Sequence, residues 1–248
     1  MKTILEHILV IIGKDRFSNS ERENIDFVQH NPLINALLND IEQYPHAYVL
    51  ACLMDRQISA EKAWSIPYKV KNELKSFEIS VLGTLPLEFY QNLFVTKSFH
   101  RFNKDMGEVF YSAIHTIQEN YCGDASGIWA GNPSSATVVY RFLQFKGCGI
   151  KIATMTTNIL ARSFKIPLSD YYSIDISPDV HVNRVLKRTG LVHPDSSREA
   201  IIYKAREINP EFPGIIDFSC WEIGRTYCKP TNPHCSECPL SSECKKNL

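Results

Sequence analysis

Apolar positions recur at helical spacing along most of the chain, and nowhere is there a run of the two-residue alternation that marks strands. Ile4, Leu5, Ile8, Ile11 and Ile12 predict one apolar face of an N-terminal amphipathic helix. Residues 32–54 carry Leu33, Leu37, Leu38 and Ile41. After a break at Pro45 they continue with Tyr48, Val49, Leu50 and Leu53. Met106, Val109, Phe110, Ile114, Ile117 and Tyr121 predict a long helix over 105–121. Two apolar helices, 136–145 and 150–161, flank Lys146-Gly147-Cys148-Gly149. Residues 180–189 read as a short helix stopped by Gly190, a C-cap glycine. Ser196 and Glu199 have capping-box spacing before a helix carrying Ile201, Ile202 and Ala205. The stretches 122–135 and 164–179 are looser. The reading is an all-α protein without repeats or low-complexity segments.

Composition changes this picture little. The chain has 248 residues, 44% hydrophobic and 22% charged, enough to build one or two cores without covalent staples. Its longest early apolar run, Ile8 to Ile12, is too short for a membrane span or a signal peptide. The expectation is a protein of the cytoplasm or nucleoid, with no membrane association. Charge is more informative when divided along the chain. Lys+Arg and Asp+Glu are both 27, and a zero sum argues against a nucleic-acid binder, which is often basic. Residues 1–139, however, hold 12 basic and 16 acidic side chains, residues 140–190 hold 8 and 3, and residues 191–248 hold 7 and 8. The one basic block contains the glycine turn.

Of the 8 cysteines, Cys228, Cys235, Cys238 and Cys244 fall near the C-terminus in the pattern C-x6-C-x2-C-x5-C. The segment is short and polar, with Pro230, Pro233 and Pro239 shaping its turns. A bound metal centre would organise it. Zinc sites usually pair two C-x2-C knuckles, and four thiolates also suit an iron–sulfur cluster; spacing leaves both open. Cys52, Cys122, Cys148 and Cys220 read as buried, inert thiols, with Cys220 the one spare ligand by position.

Gly147 and Gly149 permit a tight turn that leaves backbone N–H groups at the N-terminus of the next helix, where the dipole favours an anion such as a DNA phosphate. A plain connection between helices is the competing reading of that turn. The segment Phe145-Lys146-Gly147-Cys148-Gly149-Ile150-Lys151-Ile152-Ala153 resembles the helix–hairpin–helix of the endonuclease III superfamily of DNA glycosylases. The C-terminal spacing is similar to that superfamily's [4Fe–4S] loop. Asp179-Val180-His181-Val182-Asn183-Arg184-Val185 is similar to its D-x-H-x-x-R-V segment, and Leu53-Met54-Asp55-Arg56-Gln57 to its L-x-x-x-Q stretch. The four matches fall in family order between residues 53 and 244.

The resemblance implies a two-domain helix–hairpin–helix glycosylase fold with DNA in a cleft between the domains. A six-helix barrel would occupy residues 30–165, and an iron–sulfur domain residues 1–29 and 166–248. It implies a [4Fe–4S] cluster on Cys228, Cys235, Cys238 and Cys244, and a monomer acting on double-stranded DNA with a damaged or modified base. Lys151 would attack the sugar as a Schiff-base nucleophile. Asp179 would stabilise the charge developing on that sugar; by residue type alone it reads as a helix N-cap. The activity implied is base-excision repair by a bifunctional glycosylase and AP lyase. A monofunctional glycosylase and a non-catalytic iron–sulfur DNA-binding protein are the alternatives. Gln57 would fill the gap left by a flipped nucleotide, and Lys146, Gly147, Gly149, Ile150, His181 and Arg184 would contact DNA or support that contact. The chain departs from the family in having Lys146 where proline is usual. It also has about ten extra residues between Lys151 and Asp179, around Ser169 to Pro178. That insertion adds Asp170, Tyr171, Tyr172 and Asp175, residues available to a base pocket or to DNA, with Asp175 a reserve acid.

Overall fold

The computed structural model describes residues 3–18, 21–22 and 24–247. Its regular secondary structure is helical, with no strand among the described residues. The helices are α1 (Ile4–Ser18), α2 (Pro32–Asn39), α3 (Pro45–Leu53), α4 (Ala60–Trp64), α5 (Ile66–Leu74), α6 (Ile79–Leu82), α7 (Leu87–Lys97), α8 (Asn103–Tyr121), α9 (Ser135–Leu143), α10 (Ile150–Arg162), α11 (Val180–Thr189), α12 (Arg198–Ile208) and α13 (Asp217–Thr226). No described helix is long and apolar enough to cross a membrane.

The fold divides into two compact units. One comprises Glu23–Gly131 and Tyr140–Ile152, the other Met1–Arg22, Asn132–Val139 and Ala153–Leu248. Residues 132–139 and 153–165, which the family resemblance groups with the barrel, fall in the unit that holds the C-terminal segment. Hydrogen bonds show why: Ser135 Oγ donates to Asp170, and Asn158 Nδ2 donates to the Gly214 carbonyl at 2.9 Å.

The first unit, called the hairpin unit below, is built around α3, every residue of which is buried. A helix apolar all round belongs at the centre of a core. Helices α2, α5 and α8 pack against it, and α7 pairs with α8. Tyr90, Phe94, Phe110, Phe142 and Phe145 fill the space between helices, all essentially without solvent contact. Pro45 starts α3 and Pro32 starts α2, each in the first turn where a missing N–H costs nothing.

The second unit, the cysteine unit, packs α11 on α13 and α1 on α13. Here the pattern misplaces one face. Ile4 and Ile11 of α1 are exposed, and the buried positions are Leu5, Glu6, Leu9, Val10 and Gly13. Gly13 sets this rotation: a Cβ there would lie 1.9 Å from the Ile215 carbonyl oxygen. The backbones approach too closely for any side chain. The cap of α12 also shifts by one residue, from Ser196 to Ser197, whose hydroxyl accepts from Ala200 N at 3.3 Å.

The insertion before Asp179 is folded into this unit. Tyr171 stacks on Phe212 at 4.9 Å and meets Phe17 edge-on at 5.2 Å. Asp175 is buried and receives a two-pronged bond from Arg206, at 2.7 and 2.8 Å. That pairing removes Asp175 as a reserve acid, because a carboxylate clamped by guanidinium is committed to structure. Of the two added tyrosines only Tyr172 faces solvent.

Candidate functional site

In the hairpin unit, α9 ends at Leu143 and the chain tightens through Phe145 N to Phe142 O and Cys148 N to Phe145 O. Phe145 anchors the turn, buried and parallel to the Tyr121 ring at 6.3 Å. Gly147 has φ +77°, the left-handed region, and a Cβ there would also crowd Arg56 and Val109. Around Gly149 the space is open: an added Cβ would meet nothing within 4 Å. The exposed Ile150 opens α10 beside it. The N-terminus of α10 is therefore approachable, as an anion site requires. Lys146 is exposed and ion-paired with Glu108. Burial, with the neighbouring Cys52 adding, pushes the Cys148 thiol up to about 12, so it stays protonated and inert.

Lys151 sits in the first turn of α10. Its Nζ lies 3.0 Å from Asp55 Oδ2, across 96 residues of sequence. Asp55 follows α3 in a turn fixed from both sides. Asp55 N donates to Cys52 O, and His100 Nε2 meets the Met54 carbonyl at 3.1 Å. Since His100 Nδ1 accepts from Phe102 N, Nε2 is the protonated nitrogen and the donor. Burial lowers the His100 pKa, favouring this neutral form. Two residues further, Gln57 is exposed with φ +55°, uncommon for a side chain of its kind. Sequence reasoning named Lys151 and Gln57 and missed Asp55, although it lies within the quoted Leu53–Gln57 stretch. The only signal was a carboxylate in a turn, and the partner that gives it meaning is remote in sequence.

In the cysteine unit, Asp179 caps α11: its Oδ1 accepts from His181 N at 2.9 Å and Val182 N at 2.8 Å. Gly190 ends the same helix with φ +78°. His181 and Arg184 turn toward α13. Arg184 donates to the carbonyls of Cys228 and Gly224 and to His181 Nδ1. Arg188, one turn further, donates to the carbonyls of Lys229 at 2.6 Å and Pro230 at 2.9 Å, and reaches Cys228 Sγ at 3.7 Å. The sequence pattern had not distinguished Arg188 from solvated charge.

Cys228, Cys235, Cys238 and Cys244 line one cavity with Val185, Ile223 and Leu240. All four are free thiols, and burial together with the other three cysteines raises the Cys238 pKa. Among the described residues no group of three or more His, Cys, Asp or Glu side chains is placed to hold a single metal ion. The thiols surround a space instead. The remaining cysteines stand apart: Cys220 and Cys52 are buried, Cys148 is half-buried, and Cys122, expected inside, is exposed at the left-handed end of α8. Burial places the Cys220 thiol well above its ordinary value, which disfavours it as a ligand.

No family model matches the chain. It is 35% identical over 109 residues to an endonuclease III of Thermotoga maritima, covering 42% of this chain and 45% of that one. It is 30% identical over 107 residues to endonuclease III of Bacillus subtilis, covering 43% and 44%. An adenine DNA glycosylase of Schizosaccharomyces pombe is 40% identical over 72 residues, covering 27% of this chain and 16% of the other. The chain thus spans less than half the length of the curated relatives it matches. Across almost the whole chain the fold is similar to that of an endonuclease III bound non-covalently to DNA (TM-score 0.64, 18% identity, 99% and 97% coverage) and of an endonuclease III trapped as a covalent DNA intermediate (0.63, 18%, 99% and 97%). A thermostable thymine-DNA glycosylase is similar too (0.62, 13%, 98% and 96%). The chain is thus similar in sequence to endonuclease III over part of its length, and its all-helical fold is the one those structures share.

Proposed function

We propose that this chain, with the fold of endonuclease III, is a DNA glycosylase with AP lyase activity that removes a damaged or modified base from duplex DNA. The observation that carries the reading is the position of Lys151: an amine in the first turn of the helix that follows the glycine turn, in the same unit as that turn. Gly147, Gly149 and Ile150 would present the α10 N-terminus to a phosphate, and Lys146 would exchange Glu108 for the DNA backbone. Gln57, exposed on its strained turn, would enter the space vacated by the extruded nucleotide. Asp179 would stabilise positive charge on the sugar. Its cap bonds both go to Oδ1, so capping and charge stabilisation fall to different atoms of one carboxylate. His181 and Arg184, engaged with α13 and the cysteine segment, would support the start of α11 that carries Asp179.

The donor set of Cys228, Cys235, Cys238 and Cys244 fits a [4Fe–4S] cluster, since the four cysteines line one cavity and four thiolates are the ligands such a cluster takes. When bound, that group would supply structural bracing of the segment, leaving the sugar chemistry to side chains.

The Lys151–Asp55 ion pair favours a second reading, a monofunctional glycosylase in which Lys151 only holds DNA. Borohydride reduction on duplexes with single lesions or an abasic site separates the two. The proposed activity produces a covalent protein–DNA adduct that disappears in Lys151→Ala. Base release without an adduct would establish the monofunctional reading, and neither activity with retained binding would leave a recognition protein.

A further inference from the structure

Resting on the Schiff-base role of Lys151, we propose that Asp55 is the proton acceptor that releases the Lys151 amine for attack. Geometry is the ground for this. Asp55 Oδ2 is 3.0 Å from Lys151 Nζ, within direct proton-transfer reach. The carboxylate's side chain is only 11% exposed, so water does not compete freely for it, while the lysine, at 41%, remains reachable by a substrate. The turn that carries Asp55 is held by Asp55 N to Cys52 O, Arg56 N to Met54 O, and His100 on the Met54 carbonyl. Both groups lie in the hairpin unit, so their pairing needs no contribution from the other one.

One proton of the Lys151 ammonium moves to Asp55 Oδ2, freeing the Nζ lone pair. That pair forms the Nζ–C1′ bond as the glycosidic C1′–N bond breaks, and its electrons leave with the base. The sugar ring then opens: the C1′–O4′ bond breaks, a second Nζ proton passes to O4′, and the protonated imine remains. Asp55 is a positioning residue in this scheme, acting only through Lys151; stabilising the sugar charge is the separate role proposed for Asp179.

Asp55→Asn separates proton acceptance from packing. The amide keeps the shape and an acceptor oxygen but takes no proton. Single-turnover borohydride trapping on a duplex with a preformed abasic site should slow by about 100-fold, the ordinary worth of a positioned acid or base. Affinity for a duplex with a tetrahydrofuran abasic analogue should stay within about threefold, since ground-state binding is untouched. Asp55→Glu should recover about tenfold of the loss, because it restores a carboxylate at an altered distance. Trapping by Asp55→Asn at the wild-type rate, or a loss matched by equal loss of binding, overturns the role while leaving the lyase reading intact. Absence of trapping by the wild-type chain overturns the lyase reading and the Asp55 role with it. Should circular dichroism show Asp55→Asn unfolded, Asp55→Ser carries the same prediction.

Discussion

The glycine turn and the cysteine segment are both tight, loop-rich stretches, yet they are held by opposite means. The turn from Phe145 to Gly149 leans on a core: Phe145 is buried against Tyr121, and the helix at the centre of its unit has no exposed residue. The cysteine segment contributes one fully buried apolar side chain, Leu240, and its backbone is tied to α11 through Arg184 and Arg188 and through Lys245 N and Asn247 N on the carbonyls of Thr189 and Arg188. A segment with so little apolar surface to bury cannot offset the entropy of ordering its chain. Some other attachment must do so, and the four thiols around their cavity supply the place for it. One region is shaped by packing; the other has hydrogen bonds and four cysteines around a cavity where a core would be.

The largest test of that contrast removes a thiol. Cys238→Ser should leave residues 231–244 open to proteolysis while the hairpin unit stays resistant, and limited digestion with mass mapping would show it. Equal resistance of the mutant segment would mean that hydrogen bonds alone suffice. An intermediate effect is expected for Arg184→Ala, which strands the carbonyls of Gly224 and Cys228. Loss of these charge-assisted bonds should cost about 2 kcal/mol in chemical denaturation. A cost near zero would show that solvent replaces the guanidinium there.

The smallest effect belongs to the hairpin unit and to pH. Burial lowers the pKa of His46 and of His100 below the ordinary 6.5. The unfolded chain therefore binds protons that the folded chain refuses. Stability is complete above pH 6.5 and declines as pH falls below it toward the lowered folded values. Denaturant midpoints at pH 7.5 and 5.5, followed by Trp fluorescence, should differ in that direction. His100→Gln, which keeps a donor for Met54 O but does not titrate, should flatten the difference. A rise in stability on acidification would contradict the burial argument.

Much of this was legible in the sequence because it is local. The break at Pro45, the helix over Asn103–Tyr121, the Asp179 cap and the Gly190 stop all depend on neighbours within a few residues. The thiol spacing likewise singles out four cysteines that line one cavity. What could not be read were pairings set by tertiary approach. The rotation of α1 follows from Gly13 touching the Ile215 backbone, and Asp175 is claimed by Arg206, 31 residues away. Asp55 acquires meaning only because Lys151 arrives from 96 residues downstream. Cys122 lies at the end of a helix with a buried face and is nevertheless exposed, since helix periodicity no longer applies to a left-handed capping residue.

The two arginines of α11 also decide where the cysteine segment begins. Their bonds close spans of 40 to 44 residues, from Arg184 to Gly224 and Cys228 and from Arg188 to Lys229 and Pro230. None of these bonds requires a thiolate. With α11 on α13, they fix the backbone at the Cys228 carbonyl and just beyond it, at Lys229 and Pro230. The segment therefore starts from a point pinned by side chains, much as a strap is pinned at one end before the rest of its path is laid.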